Sequence, residues 1–467
     1  MALEVSGEEF QVMISKLGNW LSDKAKRYVP DPFVLAIGLT LIVFLLALPR
    51  AGWNPMSVVD QWVDGKGGGK GFWNLLKFAM QMCMILLTGY ALAETKLARA
   101  VIGRLARLPQ TTGAAVILVS LVAMSMALLN WGLGLIIGAL LAREVGRIAR
   151  LENRQIHYPI VCAAGYTGLG VWHAGFSGSA PLAAADGAQL AKILGPETAQ
   201  SIGSLDLTAT IGSTLNLTVI ALCLVLIPLT LFLLAPKESK DIEAAPEELT
   251  ADIDLPVEEG TPAETLNNAF VVVCIPAFMG LAWCTNWLMT VGLSALKFDV
   301  INLFMLSLGL LLHGSVKSYV RSIDRAVKSC AGIILQYPFY AGIMGIMAAS
   351  GLVSDIGGWL AGLGSSQLAV STFYSAGLVN LVVPSGGGQW VVQGPIVMQA
   401  ALAAKAEPST ILMALCYGDQ WTNLIQPFWA LPLLGICQVR VSSIIGYTAI
   451  LLIASQLCFL GPLILFS

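Results

Sequence analysis

Long apolar runs separated by short polar links make up most of the chain. Each run approaches the length of about 20 residues at which an α-helix crosses the hydrocarbon core of a bilayer. None shows the alternation of apolar and polar residues that a transmembrane β-strand requires. The pattern therefore predicts an all-α, polytopic membrane protein, with spans at 33–48, 72–93, 207–235, 269–293, 300–312, 331–349, 368–383, 411–434 and 443–465.

Three further stretches contain residues that a continuous membrane helix avoids. The run at 380–395 carries a proline and three consecutive glycines, and the run at 158–182 is broken by glycines and by a polar stretch. The run at 112–142 is interrupted at Asn130 and must turn back, either as two short spans or as a re-entrant hairpin. Non-helical backbone persists in hydrocarbon only where protein or a watery cavity satisfies its amide groups. We therefore predict that 380–395 and 158–182 are unwound segments that form a binding site; a tight turn between two helices is the alternative.

Basic residues mark one side of the membrane. They cluster at 94–108, 143–154 and 317–328, and the positive-inside rule places these links in the cytosol. Residues 1–29 combine apolar residues at helical spacing with lysines and an arginine, which predicts an amphipathic helix lying against the cytosolic face. Residues 236–265 are acidic and proline-containing, which predicts a disordered or loosely held cytosolic linker.

The linker divides the chain into two halves, predicted as a first membrane repeat at 30–235 and a second at 266–467 with one additional leading span. The halves run in the same order with reversed charge polarity. The link at 49–71 is charge-balanced, whereas its counterpart at 315–328 is basic. Landmark residues keep their spacing, because Asn130, Tyr166 and Pro181 correspond to Asn380, Tyr417 and Pro432. We predict an inverted-topology repeat whose two broken segments meet near the bilayer midplane.

Composition supports the same class. Of the 467 residues, 56% are hydrophobic and 12% charged, and the mean hydropathy of +0.77 excludes a soluble globular protein. All nine cysteines lie in apolar segments without metal-ligand spacing, so neither a disulfide framework nor a metal site is expected. The net charge of −2 reveals little about partners, and we expect neither a nucleic-acid partner nor a cofactor.

The predicted breaks determine the candidate binding chemistry. The N-terminus of a half-helix presents unpaired N–H groups that suit a small anion, and unwound carbonyls suit a cation. No lysine or arginine occurs in 130–141, 158–182 or 380–403, which favours a substrate with one negative charge. Serine hydroxyls there could alternatively serve helix packing. The predicted substrate-binding residues are Asn130, Ser177, Gly178, Ser179, Asn380, Ser385, Gly386, Gly387, Gly388 and Gln389.

Three residues are candidates for binding the coupling ion: Asp419, His173 and Asn423. A carboxylate inside a span is costly and by default functional, although a salt bridge or a position at the water interface would also explain Asp419. An intramembrane imidazole is either a proton carrier or a hydrogen-bonded structural histidine. With three histidines in all, no HExxH motif and no nucleophile-base pair, an intramembrane enzyme lacks the necessary groups.

Several motifs resemble the bacterial short-chain fatty acid transporter family over nearly the whole chain after residue 29. They include Val383-Pro-Ser-Gly-Gly-Gly-Gln-Trp390 and Tyr417-Gly-Asp-Gln-Trp421, together with the stretches 71–76, 130–134, 175–179, 336–342, 393–395 and 426–432. The resemblance implies uptake of acids such as butyrate or acetoacetate, paired re-entrant hairpins and a homodimer. This chain departs from the family pattern by having His173 in place of glycine, Lys77 in place of a small residue and Asp419 in place of glutamate.

Together these observations predict a secondary transporter for short-chain monocarboxylates in the bacterial cytoplasmic (inner) membrane. It works by alternating access and is driven by a proton or sodium gradient. The expected partners are the carboxylate substrate, H⁺ or Na⁺, the lipid bilayer and a second copy of the chain. The alternative is the same architecture transporting dicarboxylates or exchanging sodium for protons.

Overall fold

The computed structural model describes residues 32–65, 71–236, 245–246, 260–292, 296–362 and 365–466. Every regular element in these ranges is helical, which confirms the predicted all-α class. Among the described residues, six helical stretches are long and apolar enough to cross a membrane, judged by length and composition. They cover Leu76–Ala93, Thr112–Leu129, Thr214–Leu234, Pro262–Thr290, Ala331–Ser350 and Val441–Phe466.

The α-helices of the first half are α1 (Pro32–Ala47), α2 (Pro55–Val63), α3 (Leu76–Ala93), α4 (Lys96–Leu105), α5 (Thr112–Leu129), α6 (Trp131–Leu151), α7 (Tyr158–Tyr166), α8 (Ser179–Ala185), α9 (Gly187–Leu194), α10 (Pro196–Ile202) and α11 (Thr214–Leu234). Those of the second half are α12 (Pro262–Asn268), α13 (Phe270–Thr290), α14 (Phe298–His313), α15 (Val316–Ala326), α16 (Ala331–Ser350), α17 (Leu352–Ala361), α18 (Ser365–Val382), α19 (Gly386–Ala404), α20 (Pro408–Asn423), α21 (Pro427–Cys437) and α22 (Val441–Phe466). Two 3₁₀ turns, Thr167–Gly170 and Trp172–Ala174, lie between α7 and α8.

Side-chain caps begin many of these helices. Asn130 Oδ1 accepts from the Leu133 N–H at 2.9 Å and starts α6 directly after α5 ends. Ser213 caps α11 and Ser385 caps α19 in the same way. Because the first N–H groups of a helix have no intrahelical acceptor, such caps satisfy part of the backbone where helices begin inside the membrane.

The helix boundaries differ from the predicted spans at three places. Residues 411–434 form two helices, because Pro427 lacks an N–H and holds the preceding residue in extended backbone, which separates α20 from α21. The break in 380–395 is short, since the glycines Gly386 to Gly388 form the first turn of α19 instead of an unwound loop. The basic residues after 142 continue α6 instead of forming a link, because arginine is a good helix former.

Two composite segments surround the centre of the molecule. We call residues 158–185 the first broken segment, made of α7, the two 3₁₀ turns and α8, and residues 365–404 the second broken segment, made of α18 and α19. Helix α20 packs against both parts of the second segment and against the 3₁₀ turn Trp172–Ala174 of the first. The two broken segments therefore meet at α20, and most of this helix is buried.

The order of helices recurs in the two halves. A hairpin (α5 and α6, or α18 and α19) precedes an interrupted helix (α7 and α8, or α20 and α21), and a long final helix closes each half (α11 or α22). This is the order that the predicted repeat requires. Its inverted orientation in a membrane stays a prediction, and so do the divisions at 30–235 and 266–467.

The predicted amphipathic helix at 1–29 lies outside the described residues, as do 237–244 and 247–259 of the predicted linker. At 245–246 the linker contacts the membrane part of the protein. Ala245 is buried, and Arg150 Nη1 of α6 donates a hydrogen bond to its carbonyl at 2.7 Å. The linker is therefore attached to α6 at this point.

Candidate functional site

Amide side chains from distant helices satisfy the unwound backbone of the first broken segment. Gln420 Oε1 accepts from the N–H groups of His173 and Ala174 at 3.0 and 3.1 Å. Asn216 Nδ2 donates to the Ala174 carbonyl at 2.9 Å, and Asn216 Oδ1 accepts from the Tyr417 hydroxyl at 3.0 Å. All of these side chains are buried, so the irregular backbone is fixed by α11 and α20 as the hydrocarbon environment requires.

His173 and Asp419 form a fully buried pair. His173 Nδ1 lies 2.6 Å from Asp419 Oδ2, and neither side chain is exposed to solvent. The other ring nitrogen, Nε2, lies 3.1 Å from the Ala180 N–H, which can only donate. Nε2 therefore acts as an acceptor, so the proton of a neutral imidazole resides on Nδ1 and is donated to the carboxylate. The hydroxyl of Ser179 lies 3.2 Å from the same Nε2.

Asp419 also belongs to an amide network with the second broken segment. Asn380 Nδ2 lies 2.9 Å from the Asp419 carbonyl oxygen, 2.9 Å from Thr422 Oγ1 and 2.8 Å from Asn423 Oδ1, and its two hydrogens are shared among these three acceptors. Two oxygens of this network, Asp419 Oδ1 and Asn380 Oδ1, are buried without a hydrogen-bond partner among the described residues. A buried oxygen without a donor is costly, so both atoms are candidates for binding a proton or a cation.

The second broken segment presents backbone groups. Its chain is non-helical at Val383, Pro384 and Ser385. Ser385 Oγ accepts from the Gly388 N–H at 3.3 Å and lies 3.1 Å from the Tyr337 hydroxyl. The N–H groups of Gly386 and Gly387 lie in the first turn of α19 and have no intrahelical acceptor. The positive end of the α19 dipole is thus available to an anion.

A central cavity of about 30 Å³ lies between the two broken segments. Ser179 of the first segment lines it, together with Ser385, Gly386 and Gly387 of the second and Asn423 of α20. Its volume equals about one water molecule's share of liquid water. The cavity in this state is far smaller than the several hundred Å³ typical of small-molecule sites.

Three tryptophans form the apolar wall of this central cavity: Trp131, Trp172 and Trp429. The ring of Trp131 lies 5.3 Å from that of Trp429 and 6.0 Å from that of Trp172. Trp172 also stacks on His173 with centroids 4.4 Å apart. The cavity thus combines backbone donors and hydroxyls with aromatic rings, the pairing that a carboxylate with a short apolar chain requires.

The remaining predicted residues have internal roles in this structure. Ser177 Oγ accepts from the Trp131 N–H at 2.9 Å, and Gln389 Nε2 donates to the Ala376 carbonyl at 2.9 Å. Asn130 caps α6, as described above. Gly178 has no room for a side chain, because an added Cβ would overlap the His173 carbonyl. These residues hold the segments in place without lining the cavity, and their predicted role as substrate ligands stays a prediction.

Sequence reasoning missed the aromatic wall and the amide supports. Tryptophans are frequent in this chain, and no local pattern distinguishes Trp131, Trp172 and Trp429 from the others. Gln420 directly follows the candidate residue Asp419, and this position could have indicated that its side chain has a role near the site. Asn216 lies in a run that is otherwise apolar except for threonines, and an amide there is costly, so its position could have marked it as a support for a neighbouring segment.

The sequence profile described as "Short chain fatty acid transporter" matches residues 13–466. A protein of Escherichia coli (strain K12), named as a candidate short-chain fatty acid transporter, is 35% identical over 458 residues, covering 97% of this chain and 100% of its own. A similarly named protein of Haemophilus influenzae is 34% identical over 453 residues, covering 96% and 99%.

Two solved structures have the same overall fold. The YdaH transporter of Alcanivorax borkumensis matches with a TM-score of 0.59 at 16% identity, covering 94% of this chain and 98% of its own. MtrF of Neisseria gonorrhoeae, described with a class of antimetabolite efflux pumps, matches with a TM-score of 0.56 at 14% identity, covering 96% and 97%. At these identities the likeness concerns the fold alone.

Proposed function

The chain belongs to the short chain fatty acid transporter family, and on that premise we propose that it carries short-chain monocarboxylates such as butyrate or acetoacetate together with protons. The family is one of transporters, so the protein is a multi-pass membrane protein and not an enzyme. The single observation that carries the proposal is the central cavity, which is lined by the first turn of α19 and by Ser179, whose hydroxyl contacts the His173 ring of the His173–Asp419 pair.

The carboxylate is proposed to bind at the start of α19. The N–H groups of Gly386 and Gly387 and the hydroxyls of Ser385 and Ser179 provide donors, and the helix dipole favours negative charge there. None of the residues lining the cavity is lysine or arginine, so the site offers partial charges suited to one carboxylate. The tryptophan wall is proposed to receive the apolar chain. A dicarboxylate finds no cationic side chain for its second carboxylate in the lining of this cavity.

Proton coupling is proposed to run through His173 and Asp419. The His173 ring lies directly beside the start of α19, because a Cβ placed on Gly386 would lie 2.7 Å from His173 Cε1. A substrate carboxylate there stands close to the Asp419 charge in a medium of low dielectric, and the two repel. Uptake of one proton by the pair relieves this repulsion, and Ser179 connects His173 to the cavity. Binding of anion and proton is thereby linked.

A sodium ion is the second candidate for coupling. Asp419 Oδ1 and Asn380 Oδ1 are the buried partnerless oxygens described above, and oxygen atoms are the ligands that hard cations prefer. Sodium binding would use the face of Asp419 that His173 does not occupy. Under this alternative the His173 imidazole only positions the Asp419 carboxylate, and it transfers no proton during transport.

Uptake of labelled butyrate into proteoliposomes distinguishes the two. An inward proton gradient should drive accumulation above the protein-free control, and an inward sodium gradient at equal pH should not. Protein-free liposomes are essential, because neutral butyric acid crosses bilayers unaided. Saturable accumulation driven by sodium alone would replace the proton proposal, and no saturable uptake under either gradient would refute the substrate class.

Three broader features are proposed with this function. The protein is placed in the bacterial inner membrane with its basic links in the cytosol, because lysine and arginine concentrate on that side. It works by alternating access between the two repeats, since the central cavity is too small for the substrate in this state. It acts as a homodimer, as the family resemblance implies.

A further inference from the structure

A second polar cavity of about 680 Å³ opens at the end of the molecule that contains the basic helix ends. We call it the polar vestibule. Helices α3, α4, α6, α15 and α21 all contribute to its walls. Its charged lining residues are Glu94, Arg99, Arg143, Glu144, Arg147 and Arg325. The vestibule is large enough for a small organic ligand and lies apart from the central cavity.

Most of these charges are already paired. Glu94 accepts from Arg325 and from the Ser322 hydroxyl, and Arg99 lies 3.8 Å from the same carboxylate. Glu144 accepts two hydrogen bonds from Arg147, at 2.8 and 2.6 Å.

Arg143 differs from these neighbours. It is half-buried, and within the described part of the chain it forms neither an ion pair nor a hydrogen bond. A half-buried guanidinium without an acceptor is an unused anion-binding group, and its planar fork matches a carboxylate. The vestibule therefore offers one free cationic group among its described residues.

An apolar wall lies beside this guanidinium. Ile136, Leu140 and Arg143 follow one another on one face of α6 at spacings of four and three residues. Leu431 and Ile436 of α21 also line the vestibule. One cationic group next to an aliphatic surface suits a monocarboxylate with a short apolar chain better than a polyanion, which would require several free cations.

The same two helices line both cavities. Trp131 begins α6 and Trp429 lies near the start of α21, and both face the central cavity, whereas later residues of the two helices face the vestibule. The helices pack against each other, and the Trp131 and Trp429 rings are 5.3 Å apart at their inner ends. The two cavities therefore follow one another along the same pair of packed helices.

We propose that Arg143 binds the carboxylate of the transported acid in the polar vestibule, as a second site between the central cavity and the cytosol. This inference rests on the proposed function for the identity of the acid. The acyl chain lies against Ile136 and Leu140 of α6 and the facing residues of α21. Arginines that only orient a protein in the membrane need not face a cavity; Arg104 of α4, which is exposed and absent from the vestibule lining, is such a residue.

Protection of an introduced thiol tests the site. Gly435 lines the vestibule, and nothing lies within 4 Å of a Cβ added there, so Gly435→Cys fits the structure. Cys274 is the one native cysteine that is not buried, so Cys274→Ser is combined with it. Inside-out vesicles expose the vestibule to a membrane-impermeant maleimide. Butyrate should slow labelling of the introduced thiol at least threefold, whereas the uncharged analogue butyramide should not.

Charge variants decide whether Arg143 is responsible. In the Gly435→Cys background, Arg143→Gln should abolish protection by butyrate, Arg143→Lys should retain part of it, and Arg104→Gln should leave it unchanged. Equal protection with Arg143→Gln would show that butyrate acts from the central cavity and would overturn the proposal. Labelling rates without butyrate verify that each variant retains the vestibule.

Transport by the Gly435→Cys protein separates this inference from the proposed function. Butyrate counterflow without protection of the introduced thiol would overturn the vestibule site and leave the transport proposal intact. Protection that depends on Arg143 in a protein without counterflow would support the site and contradict the transport proposal. Absence of both would overturn both.

Discussion

The two broken segments contain similar breaking residues but present different chemistry. In the first, twelve residues between α7 and α8 form short 3₁₀ turns and loops whose backbone is fixed by Gln420 and Asn216. This segment contributes a side chain, His173. In the second, only Val383, Pro384 and Ser385 leave the helix, and the glycines continue it. This segment contributes backbone N–H groups. Glycine and proline in an apolar run thus indicate where a binding site is formed. They do not specify whether side chains or backbone groups provide its chemistry.

Packing explains why the second segment needs glycine. A Cβ on Gly387 would overlap the Tyr337 hydroxyl, and a Cβ on Gly388 would lie 2.6 Å from the Tyr340 ring. Both aromatic rings belong to α16, so the glycines allow this helix to approach α19 closely. Gly387 lines the central cavity and also lies against Tyr337, whereas Gly388 lies against the Tyr340 ring, so close helix packing alone already requires glycine at both positions.

The largest expected effect concerns the first segment's side-chain chemistry. Asp419→Asn removes the carboxylate that pairs with His173, so proton-driven accumulation of butyrate should fall more than tenfold, while butyrate exchange should stay within about threefold of wild type. Uptake into proteoliposomes measures the proton-driven accumulation, and counterflow measures the exchange. The exposed Asp64→Asn serves as the matched control. If accumulation and exchange fall equally in a normally expressed variant, the carboxylate has a structural role and the contrast between the segments disappears.

An intermediate effect concerns the second segment's close packing. Gly388→Ala places a Cβ against the Tyr340 ring, and overpacking of this kind costs about 1–3 kcal/mol. Thermal unfolding in detergent should show a lower midpoint. Gly461→Ala in α22 is the control, because nothing lies within 4 Å of its added Cβ. An unchanged midpoint for Gly388→Ala would mean that α16 and α19 are not tightly packed.

The smallest expected effects distinguish the roles of two serines, Ser179 and Ser385, that line the central cavity. Ser385→Ala removes one hydrogen-bonding hydroxyl, worth about 1 kcal/mol, so KM for butyrate should rise about fivefold with an unchanged pH dependence. Ser179→Ala removes the hydroxyl beside His173 Nε2 and should change the pH dependence of transport. Initial uptake rates between about pH 5 and 8 measure both effects. Identical pH profiles for the two variants would remove the assignment of proton chemistry to the first segment.

The sequence by itself determined the class of the protein and the helix breaks near Asn130 and Pro384, but not the break between α20 and α21. In the hydrocarbon core of a membrane, every backbone N–H and C=O group must find a hydrogen-bond partner within the protein, so long apolar runs form helices. Asn130 and Pro384 lie at the ends of two of these helices. Local rules also placed Ser385 correctly at a break. The same local rules did not show that Gly386 to Gly388 are helical, because three glycines are compatible both with the first turn of a helix and with an unwound loop.

Only the tertiary structure decided which of the candidate residues act together. His173 and Asp419 are 246 positions apart in the chain, yet their side chains lie in hydrogen-bond contact. Ser177 and Ser179 are near neighbours in sequence, but one holds the start of α6 and the other lines the cavity. The direction of a side chain in an irregular segment depends on which distant helices supply its hydrogen bonds. No local pattern of apolar and polar residues encodes that pairing, because helix packing fixes it.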